Sequence, residues 1–304
     1  MSQPGSQEFQ NRTVIVTGAA GSIGAPLCLA LARAGANVVA NDYGCSASGE
    51  GSSSDPVTEL VEKIKAEGLV AISDTHDVST EAKAIVDAAV AKFGQVDVII
   101  NNAGIIQYGD VETQGPDVVE KIFQVNALGA YALCHYAWPH MKRQGYGRVV
   151  NFTSDSIFGM VNSSAYVMAR GAMLGITRSL ALEGAPHGIL VNTVAPSAFS
   201  RLVADVSKDL PTAQLEWFKA TYTGESNLPV IMALASEKVA LSGEIWNSGA
   251  YCIGRDILGT TKNITDINTT DDCLKAMEKL KEGGLDWAEP KSVPEFLGFK
   301  SGQI

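Results

Sequence analysis

The stretch Thr17-Gly18-Ala19-Ala20-Gly21-Ser22-Ile23-Gly24 has the composition of a turn that brings backbone N–H groups close to an anion. A β-branched run at 14–17 precedes it and a helical pattern at 25–34 follows it, so it reads as strand, glycine turn, helix. A helix N-terminus offers unpaired N–H groups and the positive end of its dipole, and a pyrophosphate suits both. Gly18, Gly21 and Gly24 give the turn and the close approach, with Ser22 and Ile23 completing the loop. Asp42 stands 18 residues beyond Gly24, at the end of the next strand pattern. A carboxylate there accepts hydrogen bonds from a ribose 2′-OH and repels a 2′-phosphate, and no Lys or Arg flanks it. NAD(H) rather than NADP(H) is the expected cofactor; a solvated strand-end acid is the alternative reading of Asp42. Tyr166 and Arg170 are spaced one helical turn apart, so a phenol and a permanent cation share a face and can address one ligand.

The elements that must hold these groups alternate along the chain. Strands are expected at 14–17, 37–41, 70–72, 96–100, 148–152 and 189–194. Helices are expected at 25–34, 55–67, 80–93, 117–143 and 163–183. The run at 96–100 is nearly all apolar, as a strand covered on both faces should be. Such alternation implies right-handed βαβ units: an α/β fold with a doubly wound parallel sheet. The expected organisation is one domain over 1–258, with 259–304 an extension that packs on the body or on a neighbouring subunit. The Gly/Ser-rich stretch 44–54 is expected to be a mobile surface loop. Beyond about residue 259 the alternation stops, leaving one charged amphipathic helix at 271–282.

Composition narrows the function classes. The 304 residues carry 23 Lys+Arg against 33 Asp+Glu, a net charge of −10, which disfavours nucleic acid and anionic membranes as partners. No apolar run nears 18 residues and the first ten are polar, so no membrane span or signal segment is expected. Cys28, Cys45, Cys134, Cys252 and Cys273 are scattered; an odd set without metal-ligand spacing predicts reduced thiols, no metal, and a cytoplasmic setting. His76, His135, His140 and His187 are equally dispersed and read as surface or packing residues.

With these features the sequence resembles the short-chain dehydrogenase/reductase family over residues 12 to about 255. The family's TGxxxGxG turn is present with Ser22 at its middle glycine. Asn101-Asn102-Ala103-Gly104 matches the family signature after the fourth strand, and Asp77-Val78 matches its adenine-binding pair. The resemblance implies a catalytic set of Asn126, Ser154 and Tyr166, with Arg170 where the family has lysine. Tyr166 would exchange a proton with an alcohol or ketone oxygen, Ser154 would orient that oxygen, and Asn126 would support a water. A cation beside a phenol favours its ionised form. Arg170 keeps that charge and donors for the nicotinamide ribose, while its planar fork differs from an ammonium and passes no proton. Tyr166 follows Ser154 by 12 residues where the family more often has 13, which makes Thr153 a rival hydroxyl. Asn102, Ala103, Gly104, Pro196 and Ser200 are implied cofactor contacts.

The segment 198–227 contains Phe199, Leu202, Leu210, Leu215, Trp217, Phe218 and Tyr222. An apolar lid of this kind suits a hydrophobic small-molecule substrate. Within the family, Asn41-Asp42-Tyr43-Gly44, Ala137-Trp138-Pro139-His140-Met141-Lys142 and the C-terminal extension resemble the dehydrogenase domain of the peroxisomal multifunctional enzymes, the 17β-hydroxysteroid dehydrogenase type 4 group. That implies oxidation of a hydroxyacyl-CoA or a hydroxysteroid. Family precedent implies a homodimer or homotetramer packed through the helices after strands four and five. The rival is a non-catalytic nucleotide-binding sensor or assembly partner that has lost the family lysine.

Overall fold

The apolar runs form strands buried on both faces. The computed structural model describes residues 7–204, 207–208, 210–283 and 286–301. In chain order it contains β1 (Thr13–Thr17), α1 (Gly24–Arg33), β2 (Asn37–Asn41), α2 (Asp55–Ala66), β3 (Ala71–Asp74), α3 (Val78–Phe93) and β4 (Val98–Asn101). Then come α4 (Pro116–Phe123), a π-helical turn at Gln124–Leu128, α5 (Gly129–Gln144), β5 (Gly147–Phe152), α6 (Ser164–Gly184) and β6 (Ile189–Pro196). The lid helices α7 (Arg201–Ala204) and α8 (Thr212–Thr221) follow, then α9 (Leu228–Ala235), β7 (Ile245–Gly249) and β8 (Cys252–Asp256).

The sheet runs β3-β2-β1-β4-β5-β6-β7-β8, and every neighbouring pair from β3 across to β7 is parallel. Every residue of β1, β4 and β5 is buried. One face packs Leu27, Leu31, Val57, Val61 and Ile64 of α1 and α2 with Ile231 and Leu234 of α9. The other packs Ile85 and Val86 of α3, Leu133 and Met141 of α5, and Leu180 of α6. Burying each such aliphatic side chain contributes roughly 1.5–3 kcal/mol. The chain order reverses direction between β1 and β4, and ligands of open α/β sheets bind outside the strand ends at such a switch point. The glycine turn after β1 and the Asn-Asn-Ala-Gly segment after β4 therefore meet there.

Three differences from the sequence reading have local causes. The single helix expected at 117–143 contains the π turn around Asn126; one extra residue in a turn leaves apolar periodicity almost unchanged, so sequence does not reveal it. The stretch 44–54, expected to be mobile, is tied by hydrogen bonds: Ser53 N–H to the Tyr43 carbonyl, Ser46 N–H to Glu50, and Ile106 N–H to Ala47. Gly44, at φ +74°, makes this fold possible, because a Cβ there would lie 1.9 Å from the Ser53 carbonyl oxygen. Lastly, β7 turns into β8 through Ala250 and Tyr251, both at positive φ, the geometry of a two-residue hairpin turn.

The chain divides into two units after Arg255. The second holds a short antiparallel pair, β9 (Thr260–Thr261) with β10 (Trp287–Ala288). It also holds α10 (Thr270–Glu282), capped reciprocally by Thr269 and Asp272, and α11 (Val293–Ser301). The sequence reading anticipated α10 and missed α11.

Candidate active site

The glycine turn is built for close approach. Gly18 has φ +64°, and a Cβ on Gly24 would sit 2.2 Å from the Gly18 carbonyl oxygen, so α1 starts hard against the turn. No side chain caps α1 and no acid lies in its first turn, which leaves its N-terminal N–H groups for an anion. Asn102 secures the facing strand end by donating to the Thr17 and Gly18 carbonyls at 2.8 and 2.9 Å. Ala103 N–H donates to Thr17 Oγ1 at 3.1 Å.

A chamber of about 490 Å³ opens on one side of this turn. Asp42, Asp77, Val78, Ala103 and Gly104 line it with His76 and Arg201. Asp42 accepts from Ala20 N–H and Gly44 N–H, both at 2.8 Å, so its carboxylate is fixed in place with lone pairs to spare. Asp77 caps α3 through Ser79 N–H at 2.8 Å. The sequence reading took His76 for a surface or packing residue, because a single histidine carries no spacing signal. Its Nδ1 lies 2.9 Å from Asp74 Oδ2, a bond that raises the imidazole above its ordinary range. Asn41 donates to the same carboxylate at 2.7 Å.

A second chamber, about 520 Å³, contains Gly21, Ser22, Ile23, Asn102, Ser154, Tyr166, Arg170, Pro196 and Ser200. The structure thus brings the phenol, the serine and the arginine expected from the sequence to one wall. Tyr166 and Arg170 project from α6, and the Arg170 guanidinium carbon is 5.2 Å from the centre of the Tyr166 ring. Arg170 is 3% exposed and donates through Nη1 to the Phe152 carbonyl at 3.0 Å. Its Nε is buried without a partner. Its Nη2 lies against Gly104, where a Cβ would come within 1.9 Å. The cation fits only because position 104 has no side chain.

Thr153 and Ser154 are distinguished by their bonds. The Thr153 hydroxyl is buried and donates to the Arg170 carbonyl at 2.8 Å, whereas the Ser154 hydroxyl accepts from Ser156 N–H at 3.1 Å and keeps its proton for a ligand. Asn126, on the π turn, forms a two-bond ring with Ile105, accepting from its N–H and donating to its carbonyl, both at 2.9 Å. An amide so used still has one lone pair and one N–H for a water. Trp217, Phe218 and Tyr222 of the lid region close the far side. Asp155 and Ser197, not singled out from sequence, share a 2.8 Å hydrogen bond at that wall.

The chain's own groups fit a dinucleotide: an uncapped helix start, a cradle that Cβ atoms would fill, and an orphaned guanidinium donor. Among the described residues no cluster of His, Cys, Asp and Glu could hold a metal ion, and no helix is long and apolar enough to cross a membrane. All five cysteines are free; burial pushes Cys134 up to about 12 and Cys28 higher still.

Comparison with known proteins follows the same lines. The profile of the short chain dehydrogenases matches residues 12–210. The chain is 34% identical to the peroxisomal multifunctional enzyme A of Dictyostelium discoideum over 93% of its own length and 61% of that enzyme. It is 34% identical to the peroxisomal hydratase-dehydrogenase-epimerase of Saccharomyces cerevisiae over 83% of its length and 27% of that protein. It therefore spans less than two thirds of either relative. A crystal structure of a short chain dehydrogenase from Mycobacterium avium superposes with a TM-score of 0.76 at 26% identity, covering 90% of this chain and 96% of that one. Fold, motif order and profile agree: the chain belongs to the short-chain dehydrogenase family of oxidoreductases.

Proposed function

We propose that the chain interconverts a secondary alcohol and a ketone on a hydrophobic substrate, with NAD(H) as cofactor. The observation that carries this reading is the shared wall of Ser154, Tyr166 and Arg170 beside the glycine turn. The nicotinamide, when bound, supplies or accepts the hydride. The adenosine half would lie against Asp42, Asp77 and Val78, the pyrophosphate at the start of α1, and the nicotinamide half beside Asn102, Pro196 and Ser200.

Within that arrangement the Tyr166 hydroxyl gives a proton to the ketone oxygen, or in the reverse direction its phenolate takes one from the alcohol, while Ser154 donates to the same oxygen and orients it. Arg170 holds a fixed positive charge 5.2 Å from the centre of the phenol ring. Its buried Nε has a donor to offer a ribose hydroxyl, and leaving such a donor unmade costs about 1–3 kcal/mol. Asn126 anchors the Gly104–Ile105 backbone on which that guanidinium rests and retains capacity for a water. NAD(H) is favoured over NADP(H) by the fixed Asp42 carboxylate.

The apolar lid aromatics and the peroxisomal names of the relatives support a hydroxyacyl-CoA or hydroxysteroid substrate. Exposed Leu128, Tyr131, Tyr136, Met168 and Leu182 around α5 and α6 support a homodimer or homotetramer, which sedimentation of the purified protein checks. The catalytic test is oxidation of NADH and NADPH with a panel of ketones, beside dissociation constants for both. Turnover with NADH, lost in Tyr166→Phe with NADH binding retained, is the expected result. Tight NADH binding without turnover on any substrate, or unchanged turnover in Tyr166→Phe, would overturn it.

A further inference from the structure

The two chambers share three lining residues among those described: Gly18, Gly104 and Arg201. Two are glycines, and the third is a cation. Arg201 begins α7, on the lid segment after β6, yet its Nη1 donates at 2.8 Å to the carbonyl of Cys45, in the loop after β2. The side chain therefore crosses from the lid to the opposite bank of the cleft, above the junction of the chambers.

Charge separates Arg201 from the other cations nearby. The first chamber has acidic walls, with Asp42, Asp77, Asp117 and Glu120. Its Lys121 is paired with Glu50, and its His76 with Asp74. In the second chamber Arg170 likewise has a carbonyl partner, from Phe152, but it is buried against the Tyr166 ring rather than reaching across the cleft. Arg201 has a neutral carbonyl as its hydrogen-bond partner and no carboxylate partner among the described residues. A guanidinium has five N–H donors, so one bond to Cys45 leaves four.

We propose that Arg201 is the pyrophosphate-facing cation of the cleft, a positioning residue that straps the lid across the phosphates and sets the two halves of the dinucleotide in their chambers. This rests on the dinucleotide reading above. A ligand whose two ends fill the two chambers must pass its linker between Gly18, Gly104 and Arg201, and the linker of a dinucleotide is its doubly charged part. Planar, charge-assisted contacts of guanidinium to phosphate are strong and directional. The α1 N-terminus would meet the linker from below and Arg201 from above.

The test compares ligands with and without a pyrophosphate in the wild type, Arg201→Ala and Arg201→Lys. Binding of NADH, ADP-ribose and adenosine is measured by calorimetry, at two salt concentrations. The expected result is about tenfold weaker NADH and ADP-ribose binding in Arg201→Ala, partial recovery in Arg201→Lys, and unchanged adenosine affinity. The salt dependence for ADP-ribose should also be shallower in Arg201→Ala. Equal losses for adenosine and ADP-ribose would make Arg201 a wall support and overturn the proposal. So would unchanged ADP-ribose affinity with a higher KM for the ketone, which would assign the cation to the substrate. Failure of the wild type to bind either NADH or ADP-ribose would instead remove the dinucleotide reading itself.

Discussion

Arg170 and Gly104 act as a pair. The guanidinium Nη2 occupies the space that a methyl group at 104 would need, so Gly104→Ala must displace the cation from the Tyr166 ring. Because the displaced atom is the end of a flexible side chain, the fold should survive while turnover drops by at least tenfold. Arg170→Lys, which removes Nη2, is expected to retain or raise activity alone and to rescue Gly104→Ala in the double variant; steady-state rates with melting curves check both. The sequence displayed Arg170 through its spacing from Tyr166, yet not its seat on Gly104, since that contact joins a strand end to a helix 66 positions later. A second residue-scale consequence concerns pH. His76 titrates above its ordinary range because of its bond to Asp74. The stability it contributes is complete below about pH 6.5, the unfolded value, and is lost as pH rises through the raised folded value. Its ring is 42% exposed, so the effect is small. Denaturant midpoints between about pH 6 and 8 should fall in the wild type and flatten in His76→Gln.

The strand ends β1, β2 and β4 position the groups proposed to hold the cofactor, and apolar runs made those elements readable. Asp42 was readable too, as an acid at the end of β2, but its two backbone bonds were not. Those bonds qualify the outcome expected for Asp42→Ala. The variant should bind NADPH better relative to NADH, and it should also loosen the turn by losing the acceptors of Ala20 and Gly44 N–H. Asp42→Asn, which keeps one carbonyl acceptor, should shift cofactor preference with a smaller loss of stability; titrations with both cofactors and thermal melts separate the two effects. The parts of the site that stayed hidden share a physical cause. The π turn at Asn126 and the reach of Arg201 depend on one extra helical residue and on a long side chain crossing a cleft. Neither leaves a periodicity in the chain. The later elements α9, β7 and β8 are short and joined by turns, so they gave no repeated βα rhythm to read.

For the whole molecule, the reversal of strand order at β1 and β4 places both chambers along one edge of the sheet, while the two cores fill its faces. Ligand binding there couples to the stability of the folded chain. NADH at one hundred times its dissociation constant should stabilise the protein by about 2.7 kcal/mol, read as a higher Tm. Tyr166→Phe should keep that gain, because in the proposed mechanism the phenol oxygen serves chemistry rather than affinity. An unchanged Tm at saturating NADH would contradict binding of the cofactor to the folded chain. The junction of the chambers at Gly18, Gly104 and Arg201 also matters to anyone seeking an inhibitor. A small nucleoside mimic and an aromatic alcohol should be able to sit side by side, one on each side of Gly18. Tethering them would turn two weak fragments into one tight molecule through effective concentration alone, with the linker free to carry the negative charge that Arg201 invites.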